Sequence, residues 1–278
     1  MKNSTVNFIT PEISANSTTD LNVILDSLNI CVYSVNFLFG LPTHFYVLWL
    51  IITGTGSGVA SEFFILNLSV CEIGTCLNCW FCILNSFISF SRLTTFLSGL
   101  GVTGRPLFQC LICVERYLAV VHPVTFLKYK PLRYRVICCT AVWILTLGSC
   151  LYCMFTMVFF YNYVCFFFLQ FFLFLSIQLF CLVAVLRALK QSGPGERGRE
   201  RKEENYTKRR AFHLILITTV SLSIIYVPFT ISGFSFILTQ HYIKELFSFS
   251  FICTVLAGFI HPGLYLHRVG KLSCLYFP

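Results

Sequence analysis

The sequence predicts an all-α membrane protein, a bundle of seven helical spans, and three observations carry that reading. Of the 278 residues, 56% are hydrophobic and only 11% are charged, where soluble domains carry about 25% charged residues. Apolar runs of about 20 residues, the length that crosses a bilayer as a helix, recur along the chain. The net charge of +9 is gathered into a few loops between those runs. That placement is a topology signal and argues against a nucleic-acid partner.

The elements follow in order. Residues 1–27 are polar, with Pro11 and many Ser, Thr and Asn. They lack the apolar core of a leader, so no cleaved signal peptide is expected. Spans are expected at 28–53, 62–84, 90–118, 136–160, 164–189, 211–238 and 246–267. "GTGSGVAS" (54–61) is a Gly/Ser turn too short to be a domain. "QSGPGERGRERKEENYTKRR" (191–210) is highly charged and contains Pro and Gly, so it reads as a solvated, flexible linker, helical only at its ends. Residues 268–278 form a tail too short for a full amphipathic helix.

Basic residues set the expected orientation. Sixteen Lys and Arg cluster on one side: Arg116 to Arg135, Arg187 to Arg210, Arg268 and Lys271. The other side carries three, Lys2, Arg92 and Lys244. The positive-inside rule then puts the N-terminus outside and the C-terminus in the cytosol, as in a multi-pass plasma-membrane protein. Asn3-Ser-Thr and Asn16-Ser-Thr become glycosylation acceptors, whereas Asn205-Tyr-Thr would be cytosolic and unmodified.

Fifteen Cys lie mostly within spans, where Cys behaves as a small buried hydrophobe. Cys76, Cys79 and Cys82 lie along one helix without a second set of ligands, so no metal or cofactor site is expected. Cys165 is placed in a short outer loop, 161–165, where it is either a free thiol or paired with another outer Cys such as Cys82. No GxSxG or HExxH occurs, and the six His are scattered in depth, so an enzyme is not expected. Cys274, close to the membrane, is a candidate for palmitoylation.

Two charges fall inside spans. Counted from the inner end of span 2, Glu72 lies roughly 15 Å deep at 1.5 Å rise per residue. Arg105 lies eleven residues outward of Arg116, roughly 16 Å by the same rise. Each charge alone at mid-membrane costs about 2.5–3.5 kcal/mol. Spans 2 and 3 are neighbours through a short loop, so a buried Glu72–Arg105 pair is the economical arrangement. The alternative is that Arg105 points elsewhere and Glu72 is neutral. His44 and His261 complete a candidate buried polar cluster.

At the inner end of span 3 stands "CVERYLAVVHP" (113–123). Glu115-Arg116-Tyr117 there resembles the E/DRY motif of rhodopsin-like G-protein-coupled receptors. Trp143 in mid-span 4, Pro228 in "IIYVPF" of span 6 and "HPGLY" (261–265) in span 7, with Pro262 and Tyr265, resemble further marks of that family. "LNLSVCE" (66–72) is similar to its span-2 LxxxD stretch. The loop "HPVTFLKYKPLRYR" is most similar to the nucleotide- and lipid-receptor branch. The resemblance implies an extracellular ligand and a heterotrimeric G protein as partners, alongside membrane lipids. Glu115, Arg116, Tyr117, Tyr226, Pro228, Pro262 and Tyr265 would then form the activation switch, and Arg187, Lys208, Arg209 and Arg210 would face the G protein or lipid head groups.

The resemblance also implies what is changed. The family holds a sodium ion between the span-2 acid, a span-3 Ser and a span-7 Asn. Arg105 and His261 stand at the last two positions, and His44 replaces a span-1 Asn. Arg105 would thus be a built-in cation and the sodium site would be lost. Ser91 stands where the family has a disulfide Cys, Tyr226 and Leu222 replace the usual Trp and Phe, and Lys208 replaces an acid that locks Arg116. At the ligand positions, Ser98, Thr230, Gly233 and Phe247 offer no cation for a phosphate, so a neutral or apolar ligand is expected, with Phe234 and Phe251 either as its walls or simply as packing side chains. Two alternatives remain open. One is a receptor-like protein that binds a ligand or partner receptor without G-protein coupling. The other is a transporter with Glu72, Arg105, His44 and His261 as a relay, against which the absence of two matching halves counts.

Overall fold

In the computed structural model, residues 13–54, 59–85, 87–129, 131–156, 160–190, 198–239 and 243–270 are described. Among the described residues, seven helices are long and apolar enough to cross a membrane by length and composition. Helix α1 runs as Ile13–Val35, a π-helical turn Asn36–Gly40, and Leu41–Ile52. Helix α2 is Val59–Leu84, and α3 is Ser91–Gly99, a second π turn Leu100–Gly104, and Arg105–Val121. A short helix, Pro123–Tyr129, leads to α4 (Leu132–Thr156), α5 (Phe160–Lys190) and α6 (Gly198–Thr239). Helix α7 comes in two pieces, Lys244–Ala257 and Ile260–Arg268. No strand occurs among the described residues.

Both π turns end on the same short pattern, Gly40-Leu41-Pro42 and Gly104-Arg105-Pro106. Proline lacks an N–H, and its ring crowds the carbonyl four residues earlier. The wider π turn gives that ring room without ending the helix. The glycines answer a second constraint, close approach between helices. A Cβ on Gly104 would fall 2.7 Å from Cys71 Sγ and 2.9 Å from Thr146 Cγ2. A Cβ on Gly40 would meet Cys76 Sγ at 3.1 Å.

Helix α3 is the most buried of the seven and touches α2, α4, α5 and α6. On one side Leu100, Phe108 and Ile112 pack with Leu68 and Cys71 of α2 and Cys139, Val142 and Cys150 of α4. On the other, Cys110 packs with Phe167, Phe171 and Phe174 of α5 and Leu222, Ile225 and Tyr226 of α6. Outward-facing residues such as Ile144, Leu145, Leu169 and Phe172 are exposed and equally apolar. Burial of apolar surface therefore does not distinguish inside from outside here, and small residues and polar contacts hold the helices together. Trp143 Nε1 donates to Asn67 Oδ1 at 2.9 Å, joining α4 to α2. Gln170 Nε2 donates to Thr103 Oγ1 at 2.9 Å, joining α5 to α3.

Two expectations need correction. Cys165 is not in a loop, because α5 begins at Phe160 and carries it within its second turn. The stretch "FYNYVCFFF" has no Gly or Pro to stop the helix starting early. Cys165 and Cys82 are both free thiols. The charged linker is helical from Gly198 onward, continuous with α6, rather than only at its ends. Arg, Lys and Glu are strong helix formers, and Glu204 stands four residues before Lys208. The linker residues 191–197, Asn3 and Cys274 lie outside the described residues, as do the side chains of Asn16, Lys208 and Arg210.

Close packing gives a direct test. A Cβ on Gly99 would fall 2.7 Å from the Cα of Cys150, whereas one on Gly148 meets nothing within 4 Å. Gly99→Ala is expected to cost about 1–3 kcal/mol and to lower the thermal midpoint in detergent. Gly148→Ala should leave that midpoint unchanged or raise it.

Candidate functional site

The centre of the bundle holds an ion pair. Arg105 is the largest fully buried side chain, 1% exposed, and Glu72 is 2% exposed. Arg105 Nε donates to Glu72 Oε1, and Nη2 donates to Oε2 at 2.6 Å, so the guanidinium forks both carboxylate oxygens. This two-point geometry is the strongest that Arg and a carboxylate form. The remaining nitrogen, Nη1, donates to the backbone carbonyl of Thr254 in α7 at 2.7 Å.

That carbonyl is available because α7 breaks there. In an unbroken α-helix the Gly258 N–H would close on Thr254, but it bonds Val255 O at 3.1 Å instead. Pro262, four residues on, has no N–H to return to Gly258. Gly258 also admits the pair sterically, since a Cβ there would lie 3.3 Å from Arg105 Nη2 and 3.4 Å from Glu72 Oε2. One guanidinium thereby ties α2, α3 and α7.

One turn along α3 from Arg105, fully buried Gln109 meets His261 of α7, with Nε2 to Nε2 at 2.8 Å. His44 is 2% exposed. Its Nδ1 has no hydrogen-bond partner among the described residues. Glu72 and Arg105 act electrostatically on both imidazoles. The four predicted polar residues share one region, but only Glu72 and Arg105 bond each other directly. Because Arg105 occupies both oxygens of Glu72, the arrangement does not suit a proton relay.

Near the end of the bundle that carries Arg116 stand two more buried carboxylates. Tyr265 Oη donates to Glu62 Oε2 at 2.6 Å, with both residues at most 2% exposed, beside Val47, Leu50 and Ile51 of α1. Glu115 accepts from Arg135 Nη2 of α4 in a second buried ion pair. Tyr117 and His122 bond at 3.0 Å through Oη and Nε2. Further along α6, buried Tyr226 stacks on Phe171 at 5.4 Å and donates its hydroxyl to the carbonyl of Val102, inside the π turn of α3. That carbonyl is four residues before Pro106, the position that a proline leaves without its helical N–H. Pro228 lies within α6, and Ser232 donates to its carbonyl at 2.8 Å while bonding Ser250 of α7 at 3.0 Å.

A family model described as 7 transmembrane receptor (rhodopsin family) matches residues 44–265, from His44 to Tyr265. The chain belongs to that family. Rhodopsin-family proteins are receptors of the plasma membrane and not enzymes. Curated relatives include the uracil nucleotide/cysteinyl leukotriene receptor of Rattus norvegicus, 29% identical over 41% of this chain and 36% of the relative. The hydroxycarboxylic acid receptor 2 of the same species is 25% identical over 71% of this chain and 59% of its own. The chemokine XC receptor 1 of Homo sapiens is 29% identical over 60% and 56%. The chain thus spans between about a third and three fifths of the relatives it matches.

Within this rhodopsin-family receptor, the residues expected to line a ligand pocket are less gathered than the polar core. Ser98 and Thr230 donate their hydroxyls to carbonyls of their own helices, Thr95 at 2.6 Å and Tyr226 at 2.7 Å. Gly233 is the point where α6 meets α5, a Cβ there falling 2.8 Å from Val164 Cγ1. Phe247 is buried, Phe234 packs edge-on against Phe168 at 5.7 Å, and Phe251 packs against Phe229 at 5.4 Å.

Glu62, Gln109, Arg135, Thr254 and Gly258 were missed by sequence reasoning. Gln109 had a usable signal, being a polar residue four positions from Arg105 and hence on the same helix face. Arg135 counts only among the basic residues that set orientation, and Glu62 belongs to no motif. The Thr254 carbonyl carries no side-chain signature.

The forked pair predicts strongly unequal single and double mutants. Glu72→Leu or Arg105→Leu alone leaves one buried charge unpaired and should cost about 3–5 kcal/mol. The double variant should recover most of that loss. Thermal unfolding of the four proteins in one detergent measures the coupling.

Proposed function

We propose that this receptor sits with its N-terminus outside, binds a neutral or largely apolar extracellular ligand, and activates a heterotrimeric G protein. Its internal cation is fixed: Arg105 takes the place of a mobile sodium ion. The observation that carries the proposal is the closed coordination of that guanidinium. Both oxygens of Glu72 and the carbonyl of Thr254 are committed to Arg105. A sodium ion would need those same oxygens, and the guanidinium already supplies the positive charge they balance.

The sixteen basic residues on the Arg116 side support a cytosolic placement of that end. Exposed Arg187 and Arg209 there suit contact with acidic protein surfaces or anionic head groups. The ligand class follows from the missing cations at Thr230, Gly233 and Phe247. A phosphate or carboxylate ligand of the kind named in two relatives would lack its charge-assisted partner at these positions.

Two contacts favour a second reading, a receptor-like protein that binds its ligand or partner without coupling. Tyr265, the tyrosine of the expected switch, is held by buried Glu62, and Glu115 is held by Arg135. The two readings separate in a G-protein dissociation assay on the receptor alone with a promiscuous G protein. Coupling predicts basal output above mock-transfected cells that falls in Arg116→Ala. Equal output from wild type, Arg116→Ala and mock favours the second reading.

The fixed cation has its own test, independent of any ligand. The wild-type thermal midpoint should be the same in sodium chloride and choline chloride, and Arg105→Ser should gain a sodium-dependent rise. A sodium-dependent rise in the wild type that Arg105→Ser abolishes would contradict the proposal.

A further inference from the structure

A cavity of about 260 Å³ opens between α2, α3, α4 and the short helix Pro123–Tyr129, away from the polar core. Its walls are apolar: Phe64, Val114, Leu118 and Phe126. Buried Glu115 and Arg135, already paired with each other, form its floor. Its mouth is marked by two half-exposed tyrosines, Tyr129 and Tyr134, packed edge-on at 5.1 Å. Each carries a cation: Lys128 Nζ lies 5.7 Å from the Tyr129 ring, and the Arg133 guanidinium 4.8 Å from that of Tyr134. Both cations are exposed. No Asp or Glu occurs between Arg116 and Gly195 to balance them. On α2, the acid nearest in sequence to Phe64 is Glu62, which is buried and bonded to Tyr265.

We propose that this cavity binds an anionic phospholipid of the cytosolic leaflet, one acyl chain lying against Phe64, Leu118 and Phe126 and the head group held by Lys128 and Arg133. The charge pattern selects the occupant. Apolar walls accept hydrocarbon, and the paired floor offers no free charge to a polar ligand. Among the described residues the charges flanking the mouth, Lys128 and Arg133, are both positive, Arg133 also donating to Tyr134 Oη at 3.1 Å. A phosphate there gains charge-assisted contacts at the depth where Lys and Arg meet anionic head groups. The mouth also lies where α4 begins, and exposed Ile137 and Cys138 present its flank to lipid. An acyl chain in the cavity rests on Glu115, the acid next to Arg116. The site therefore links inner-leaflet composition to the switch end of the receptor. The leaflet assignment rests on the orientation proposed above, whereas the binding itself does not.

The test uses the full chain in nanodiscs whose two leaflets have the same composition, so orientation and coupling do not enter. Phosphatidylglycerol and phosphatidylcholine carrying the same diazirine-labelled acyl chain are photolysed, and the modified residues are mapped by mass spectrometry. Phosphatidylglycerol should label Val114, Leu118 and Phe126 several-fold more than phosphatidylcholine. Lys128→Gln/Arg133→Gln, both at exposed positions, should abolish that excess. Leu118→Trp, which fills the cavity, should remove the labelling altogether, with an unchanged thermal midpoint showing that it folds. Equal labelling by the two lipids, labelling confined to outward residues such as Ile144 and Leu145, or an excess that survives loss of both cations would overturn the proposal. Displacement of the label by unlabelled palmitate but not by unlabelled phosphatidylglycerol would also overturn it, in favour of a free fatty acid.

Discussion

A guanidinium in the middle of a hydrocarbon slab must be neutralised and have its donors occupied, or the helix carrying it does not stay there. Arg105 is neutralised by one carboxylate, and each of its three nitrogens donates, two to that carboxylate and one to a backbone carbonyl of another helix. The rest of the bundle is arranged around that requirement. Gly258 is bare so that α7 can approach the pair, and Gly104, the residue before Arg105, is bare so that α3 can lie against Cys71 and Thr146. The pair acts as a charged rivet at the centre of a bundle whose outer surface gives the helices little reason to associate.

Prolines and the donors that compensate for them form the second theme. In lipid a backbone carbonyl without a partner cannot turn to water. Pro106 removes the N–H that Val102 O would receive, and the Tyr226 hydroxyl donates there from α6. The break before Pro262 diverts the Gly258 N–H from Thr254 O, and Arg105 donates there from α3. In both cases a disturbed helix is tied to a neighbour by a side chain that satisfies its backbone. Interhelical contacts of this kind can be exchanged when helices move, and these two fall on α6 and α7, the elements that carry Pro228 and Tyr265.

Much of this was readable from the sequence, for identifiable reasons. Seven spans follow from apolar run lengths, and the Glu72–Arg105 pairing follows from counting depth at a fixed rise, because both are one-dimensional quantities. The contacts of Glu62 with Tyr265 and of Glu115 with Arg135 depend on how two helices are rotated toward each other, which depth alone does not give. Cys165 was misplaced because an aromatic-rich stretch marks neither the start nor the end of a helix. The linker before α6 was read as flexible because its charge suggested solvent, whereas the same Arg, Lys and Glu residues are strong helix formers. Thr254 was invisible because its contribution is a carbonyl that any residue would supply.

The central claim is that the Glu72 carboxylate and the Arg105 guanidinium form an ion pair at the centre of the bundle. The most direct measurement is the infrared difference spectrum between the wild-type receptor and Glu72→Gln in the protonated-carboxyl stretching region. The account predicts no band there that is lost on substitution, in sodium or in choline chloride alike. A protonated-carboxyl band in the wild type that disappears in Glu72→Gln would contradict it.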